Sequence, residues 1–350
     1  MNQIAHNVPS LVDLVEQGWV PDLITRLSMR GLNHKRLWDE GTWHAQRRED
    51  RQRAFMASLS RGPLAAHTDA ANQQHYEVPS AFFEIALGPR LKYSCCHYPK
   101  GYESLGDAED DMLRLTCERA DLHDGQRVLE LGCGWGSLSL WMAAHYPKCE
   151  IIALSNSATQ KAFIDACADA RGLGNLRVIT QDMNDFQGAG MFDRIVSVEM
   201  FEHMRNYDLL LSRIKSWLHA DGRLFVHYFC HRDIAYPFET LGESDWMAKY
   251  FFTGGIMPSF DMLKRFPQHF LVEKDWWVSG THYEKTSNAW LANVDAKRMR
   301  VGDIFHQTYG ANDATLWIQR WRMFFMAVAE LFGTNRGNTW GVGHFLLRSA

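Results

Sequence analysis

Two carboxylates and an imidazole fall within five residues, at Glu199, Glu202 and His203, directly after the apolar run Ile195-Val196-Ser197-Val198. A carboxylate holds cations, and an imidazole titrating near neutrality accepts or returns a proton. Acids at a helix start are common on protein surfaces and need no function. Three ionisable groups at the carboxyl end of an apolar run, framed by Met200, Phe201 and Met204, instead read as a reaction centre. Two other stretches carry groups suited to the same centre. They are Lys92-Tyr93-Ser94-Cys95-Cys96-His97-Tyr98 and His282-Tyr283-Glu284-Lys285-Thr286, and each alone also reads as core or surface.

A second motif lies upstream. Val128-Leu129-Glu130-Leu131 runs into Gly132-Cys133-Gly134-Trp135-Gly136, and a helical pattern follows to His145. Glycines let the backbone turn sharply and approach a ligand, since no Cβ intervenes. A nucleotide-like cofactor against a strand-turn-helix is the reading, with a ligand-free structural turn as the alternative. NAD-binding turns read GxGxxG, with the ribose acid about 20 residues later. Here the acid, Glu130, precedes the glycines. That arrangement resembles the class I methyltransferases, which bind S-adenosylmethionine. In that family the acid and the glycine turn surround the amino-acid end of the cofactor. After the next apolar run, Asn156, Ser157 and Gln160 open a helix. They suit the ribose, while Ser157 also suits a simple N-cap. After the third run, Asp182 offers a carboxylate to the adenine amino group and Met183 a side chain to its face.

These residues need a scaffold that places them together. Apolar runs at 127–131, 150–154, 176–180, 192–198 and 223–229 are short and nearly continuous, as in strands buried on both faces. Helical patterns fall between them, near 135–145, 157–171 and 206–219. Alternating strands and helices imply an α/β fold with a doubly wound, mainly parallel sheet, in which ligands lie beyond the carboxyl ends of the strands. An aromatic insertion follows at 233–265, then a strand at 269–278, helices near 283–305 and 313–332, and an alternating strand at 339–348 suited to pairing antiparallel at an edge. Residues 1–70 read as a helical N-terminal region and 71–350 as the main domain. Leu11, Leu14 and Val15 form one stripe; Pro21 starts a second helix with Leu23, Ile24 and Leu27 expected inward.

The 350 residues are 46% hydrophobic and carry a net charge of −4, which gives no overall signature of nucleic-acid binding. Between Arg26 and Arg61 nine basic residues face four acids, so this segment suits either a solvated helix face or contact with an anionic membrane. Seven scattered cysteines, without a CxxC pair, point to reduced thiols and a cytoplasmic protein. No apolar stretch reaches the roughly 18 residues needed to span a bilayer. No zinc-like His/Cys spacing occurs among the sixteen histidines, so no metal is expected.

Longer segments carry a more specific resemblance. QHYEVP (74–79), LKYSCC (91–96), GCGWGSLSL (132–140), MFEHM (200–204), LFVH (224–227) and HYEKT (282–286) resemble the cyclopropane fatty-acid synthase superfamily. Glu199, FFTGGIMPS (251–259), HYEKTSNAW (282–290) and VPDLITRL (20–27) resemble its coclaurine N-methyltransferase-like branch. The resemblance implies a Rossmann-like class I methyltransferase fold with a helical N-terminal cap and an insertion after the fifth strand. Tyr76, Tyr93 and Ser94 would enclose the methionine end of S-adenosylmethionine, which leaves as S-adenosylhomocysteine. Gln160 and Asp182 would hold ribose and adenine, and Glu199, Glu202 and His203 would act on a small-molecule amine. The rival activity in the superfamily is cyclopropanation of unsaturated lipid, with bicarbonate as base. Its matching positions are Cys95, Glu202, His227 and Tyr283, and it would bring a peripheral membrane contact. Glu199, where the synthases have a small residue, favours the amine. A third reading is cofactor binding without turnover, and a homodimer stays open.

Overall fold

The computed structural model describes residues 10–40, 44–65, 78–238 and 246–350. Five parallel strands form its centre: β1 (Arg127–Leu131), β2 (Glu150–Ser155), β3 (Leu176–Thr180), β4 (Phe192–Val198) and β5 (Leu218–His231). Their apolar runs are continuous because both faces are covered. Val128, Ile151, Val196 and Phe225 pack with Leu113, Leu138 and Met142 on one face. Their neighbours Leu129, Ile152, Ile195 and Leu224 pack with Leu210, Leu211 and Ile214 on the other. Successive residues of each strand therefore serve opposite layers, as the pleat demands. The layers are built by α5 (Leu105–Arg119), α6 (Ser137–His145), α7 (Ala158–Ala170) and α8 (Tyr207–Ser216).

The full sheet order is β3-β2-β1-β4-β5-β9-β8. The chain winds outward from β1 in both directions, so the ends of β1 and β4 flank the switch point where ligands bind in such sheets. After β5 comes the aromatic insertion. It holds β6 (Tyr236–Pro237) paired antiparallel with β7 (Ile256–Met257), and α9 (Trp246–Tyr250) between them. Then follow β8 (Phe270–Ser279), α10 (Gly280–Ala296), α11 (Arg298–Tyr309), α12 (Ala314–Phe332) and β9 (Trp340–Ser349).

Two expectations fail here. The last strand is not at an edge: β9 lies between β5 and β8 and pairs antiparallel with both. Its residues Trp340–Leu347 are buried throughout, as in a strand covered on both faces and paired on both sides. The segment expected as one helix over 283–305 is two, because Lys297 leaves helical geometry at φ −115°, ψ 27°.

The N-terminal helices are α1 (Leu11–Glu16), α2 (Asp22–Asp39), α3 (Ala45–Ser58) and α4 (Ser80–Ala86). Ser10 and Asp13 close a capping box on α1. Leu23, Ile24 and Leu27 do not point inward: they are 70%, 50% and 54% exposed, and Leu11 is exposed as well. The inner face of α2 packs through Met29 and Leu37 and docks by charge as well. Arg26 and Arg30 both pair with Glu330 of α12, and Asp22 pairs with Arg322. Much of the local basic excess is spent internally, with Lys35 on Asp39 and both Arg36 and Arg51 on Glu40. Further along, Phe82 and Phe83 of α4 are fully buried, and Phe83 lies 5.3 Å from Trp135 of the glycine turn. Truncating either phenylalanine would cost about 3–5 kcal/mol. Among the described residues, no helix is long and apolar enough to cross a membrane, and no cluster could hold a metal ion.

Candidate active site

Gly132, Gly134 and Gly136 all have positive φ, at 79°, 51° and 79°. A Cβ on Gly132 would sit 2.8 Å from Met200, and one on Gly136 would sit 2.6 Å from Ile164. Those two glycines answer to packing. Gly134 differs, since nothing lies within 4 Å of its Cβ position, and this open side belongs to a cavity. Tyr93, Ser94, Glu130 and Gln160 line the same cavity. Glu130, 2% exposed, accepts a hydrogen bond from the Ser139 hydroxyl. Burial raises its carboxyl to about 7, against the opposing effects of that hydrogen bond and of the Lys92 charge. A buried carboxyl titrating at neutrality beside an open glycine turn fits the ammonium and carboxylate end of S-adenosylmethionine.

An adjoining hollow is lined by Ser155, Asn156, Gln160, Gln181 and Met183. The Gln160 carbonyl is occupied by the Ser155 hydroxyl, which leaves its amide group as a donor. Ser157 caps α7 by accepting the Gln160 N–H, so its capping role holds. Asp182 does not line this hollow. Its carboxylate accepts the Asn184 N–H at 2.7 Å and turns the chain after β3, while Gln181 and Met183 face the space. Tyr76 lies outside the described residues.

The acceptor end is built around Glu199. This residue leaves β4 in the left-handed region, at φ 50°, a conformation that costs a non-glycine residue about 1 kcal/mol or more. Its carboxylate meets three donors from three other segments. Oε1 accepts the Cys95 backbone N–H at 3.0 Å and lies 3.1 Å from His227 Nε2, and Oε2 accepts the Tyr283 hydroxyl at 2.7 Å. Burial, then the charges of Lys92 and Arg119, drives His227 well below its usual range, so the ring is neutral. Its carboxylate partner assigns the proton to Nε2. Burial, then the Glu199 charge, pushes the Tyr283 phenol up and keeps it a donor. Burial also raises the Cys95 thiol, which donates to the Cys96 carbonyl. Cys95 thus serves the site through its backbone.

The two carboxylates have different surroundings. Glu202 is fully buried, and its Oε1 accepts the Phe229 N–H of β5 at 2.7 Å. Burial, and next the charge of Glu199, holds its carboxyl protonated. Burial raises Glu199 too, while the Lys92 charge, the Cys95 N–H and the Tyr283 hydroxyl oppose the rise. Glu199 lines the main cavity and Glu202 does not. His203 closes a three-residue 3₁₀ turn, Phe201–His203. It therefore sits at the carboxyl end of that turn and not at a helix N-terminus. His203 borders both cavities and lies 4.7 Å from the Phe252 ring.

Two groups that sequence reasoning did not assign complete the centre. Lys92 is 2% exposed and donates to the Ser94 hydroxyl and the Cys95 carbonyl, so it pins the segment that supplies the Cys95 N–H. His344 of β9 stands opposite His227 in the ladder, with ring centroids 4.6 Å apart, and its Nδ1 is 2.8 Å from Arg119. A charged residue inside the apolar-aromatic stretch 91–98 was a signal for Lys92; His344 had none. Much of the remaining cavity wall is apolar, with Phe229, Phe238, Met247, Phe252, Phe324 and Phe332.

The family model described as mycolic acid cyclopropane synthetase matches residues 65–340. The (S)-coclaurine N-methyltransferase of Thalictrum flavum subsp. glaucum is 36% identical over 99% of this chain and 98% of its own length. The cyclopropane-fatty-acyl-phospholipid synthase of Escherichia coli (strain K12) is 30% identical over 68% of this chain and 59% of its own length. A crystal structure of coclaurine N-methyltransferase bound to N-methylheliamine and S-adenosylhomocysteine aligns at a TM-score of 0.93 and 35% identity, over 97% of this chain and 98% of that one. With the glycine turn, Glu130 and the switch point in place, the chain belongs to the mycolic acid cyclopropane synthetase family of S-adenosylmethionine-dependent methyltransferases, on its coclaurine N-methyltransferase-like branch.

Proposed function

We propose that this methyltransferase acts on the nitrogen of a small, largely apolar amine. The observation that carries the reading is the Glu199 carboxylate, held by the Cys95 N–H, His227 and the Tyr283 hydroxyl, on the wall of a cavity whose acceptor side is rich in Phe and Met. A buried charge is costly unless it is hydrogen-bonded and paired, and a substrate ammonium would add to the three donors and the Lys92 charge that hold this one. The names of the relatives, coclaurine and pavine N-methyltransferase, support the same substrate class.

When bound, S-adenosylmethionine supplies an electrophilic methyl group. The protein must then deliver a nitrogen lone pair. Alkylamines resemble lysine, with a pKa of about 10.4, and so arrive protonated. Glu199 holds the ammonium by charge and hydrogen bonding. His203, between the two cavities, takes the proton as the lone pair is exposed. The aromatic wall excludes water and fixes the substrate's rings, which limits the directions from which the nitrogen can approach. Glu202 works indirectly, by tying this turn to β5 through Phe229.

The test is transfer of label from methyl-labelled S-adenosylmethionine. A panel of secondary and tertiary amines, including tetrahydroisoquinolines, is run beside vesicles of unsaturated phospholipid. Label in an amine is the expected result. Label confined to the acyl chains would overturn the proposal.

A further inference from the structure

The resemblance to lipid synthases assigned Cys95, Glu202, His227 and Tyr283 to a bicarbonate ion. The structure does not leave that ion a place. Three of the four positions point their donors at one spot, and the Glu199 carboxylate fills it. The fourth, Glu202, is anchored on Phe229. A bicarbonate in the cradle would have to overlap the Glu199 carboxylate or touch it as a second anion.

We infer that Glu199 is a tethered replacement for a dissociable anion, and that removing its side chain opens a site for formate, acetate or bicarbonate. The cradle offers one backbone N–H, one phenol O–H and one imidazole N–H, a donor set suited to the planar O–C–O group that these anions share. The positive charge of Lys92 lies close enough to favour an anion there. The backbone is prepared as well, since φ 50° at residue 199 is a conformation glycine adopts without strain. Glu199→Gly therefore deletes the anion while keeping its three partners. Tethering also makes the charge independent of dissolved carbon dioxide and places it four residues before His203.

The geometric part stands whatever the acceptor is; the turnover part rests on the proposed amine activity. Three proteins are compared: wild type, Glu199→Gly and Glu199→Gly/Tyr283→Phe, with Glu199→Ser in reserve if the glycine variant does not fold. Anion binding is read by thermal melting and by the NMR signal of labelled bicarbonate or formate, with sodium chloride at equal ionic strength as the control. Amine methylation is read in parallel.

The wild type should show no dependence on bicarbonate. Glu199→Gly should lose turnover about a hundredfold or more and recover at least about tenfold with formate, with a melting point that rises with formate and not with chloride. Adding Tyr283→Phe should weaken that binding. A wild type slowed by removal of bicarbonate would overturn the inference, as would a glycine variant that responds to formate no more than to chloride. If the wild type labels no amine while the glycine variant still binds formate, the cradle stands and the amine reading falls.

Discussion

The cofactor end and the acceptor end of the site meet at His203 but are built in opposite ways. Glu130 and the three glycines belong to one strand-turn-helix, and their places follow from local backbone angles. The carboxylate of Glu199 is held by residues 104, 28 and 84 positions away in sequence. Local steric demands fix the first end. The second exists only when α10, β5 and the 92–96 segment converge, so one substitution there can change the chemistry without touching the cofactor.

The predictions separate the two ends. The largest effect is expected at the acceptor end, where His203→Ala should lower kcat by about 10²–10⁴ while the dissociation constant for S-adenosylmethionine stays within about threefold. Calorimetric titration and single-turnover kinetics measure the two quantities. A parallel loss of cofactor affinity would erase the division between the ends. Next comes Gly134→Leu, which fills the open side of the turn and strains a φ of 51°. It should weaken cofactor binding about a hundredfold, near 2.7 kcal/mol. Undiminished affinity would mean that the cofactor avoids this face.

A smaller effect is expected from pH. In the free enzyme Glu130 titrates at about 7, above its unfolded value. Its contribution to folding is therefore present at low pH and lost as pH rises from the unfolded value through about 7. Cofactor binding needs the carboxylate, so it moves the other way. The affinity should tighten about tenfold between pH 6 and 8, with proton release, and Glu130→Gln should flatten the profile. A wild-type affinity independent of pH would separate Glu130 from the ammonium group. The smallest effect belongs to neither end: Leu27→Ser on the exposed side of α2 should change stability by less than about 0.5 kcal/mol in chemical denaturation. A loss of 2 kcal/mol or more would show that this face is covered in solution.

The same contrast explains what could be read beforehand. Strands β1 to β4 and the glycine turn were legible because each is a short apolar run or a steric requirement within a few residues. Cys95, His227 and Tyr283 were grouped by resemblance, and they meet at the Glu199 carboxylate, a convergence that nothing local announces. Leu23, Ile24 and Leu27 misled because apolar residues normally face inward, whereas α2 is held by Arg26 and Arg30 on Glu330. Lys297 breaks a helix without glycine or proline to announce it. The burial of β9 had no such signal, because Gly341, Gly343 and His344 interrupt its apolar residues although Trp340–Leu347 are all buried.

That late strand has a consequence for the order of assembly. β5 and β8 touch no common partner until β9 slides between them. The ladder that sets His227 against His344 must therefore wait for residues more than a hundred positions downstream. Contacts so distant in sequence form slowly, because loop closure comes before their reward. The cofactor half needs no such wait. Pulse-labelled hydrogen exchange during refolding should show the amides of β1, β2 and β4 protected first. The catalytic cradle would then be the last part of the molecule to set.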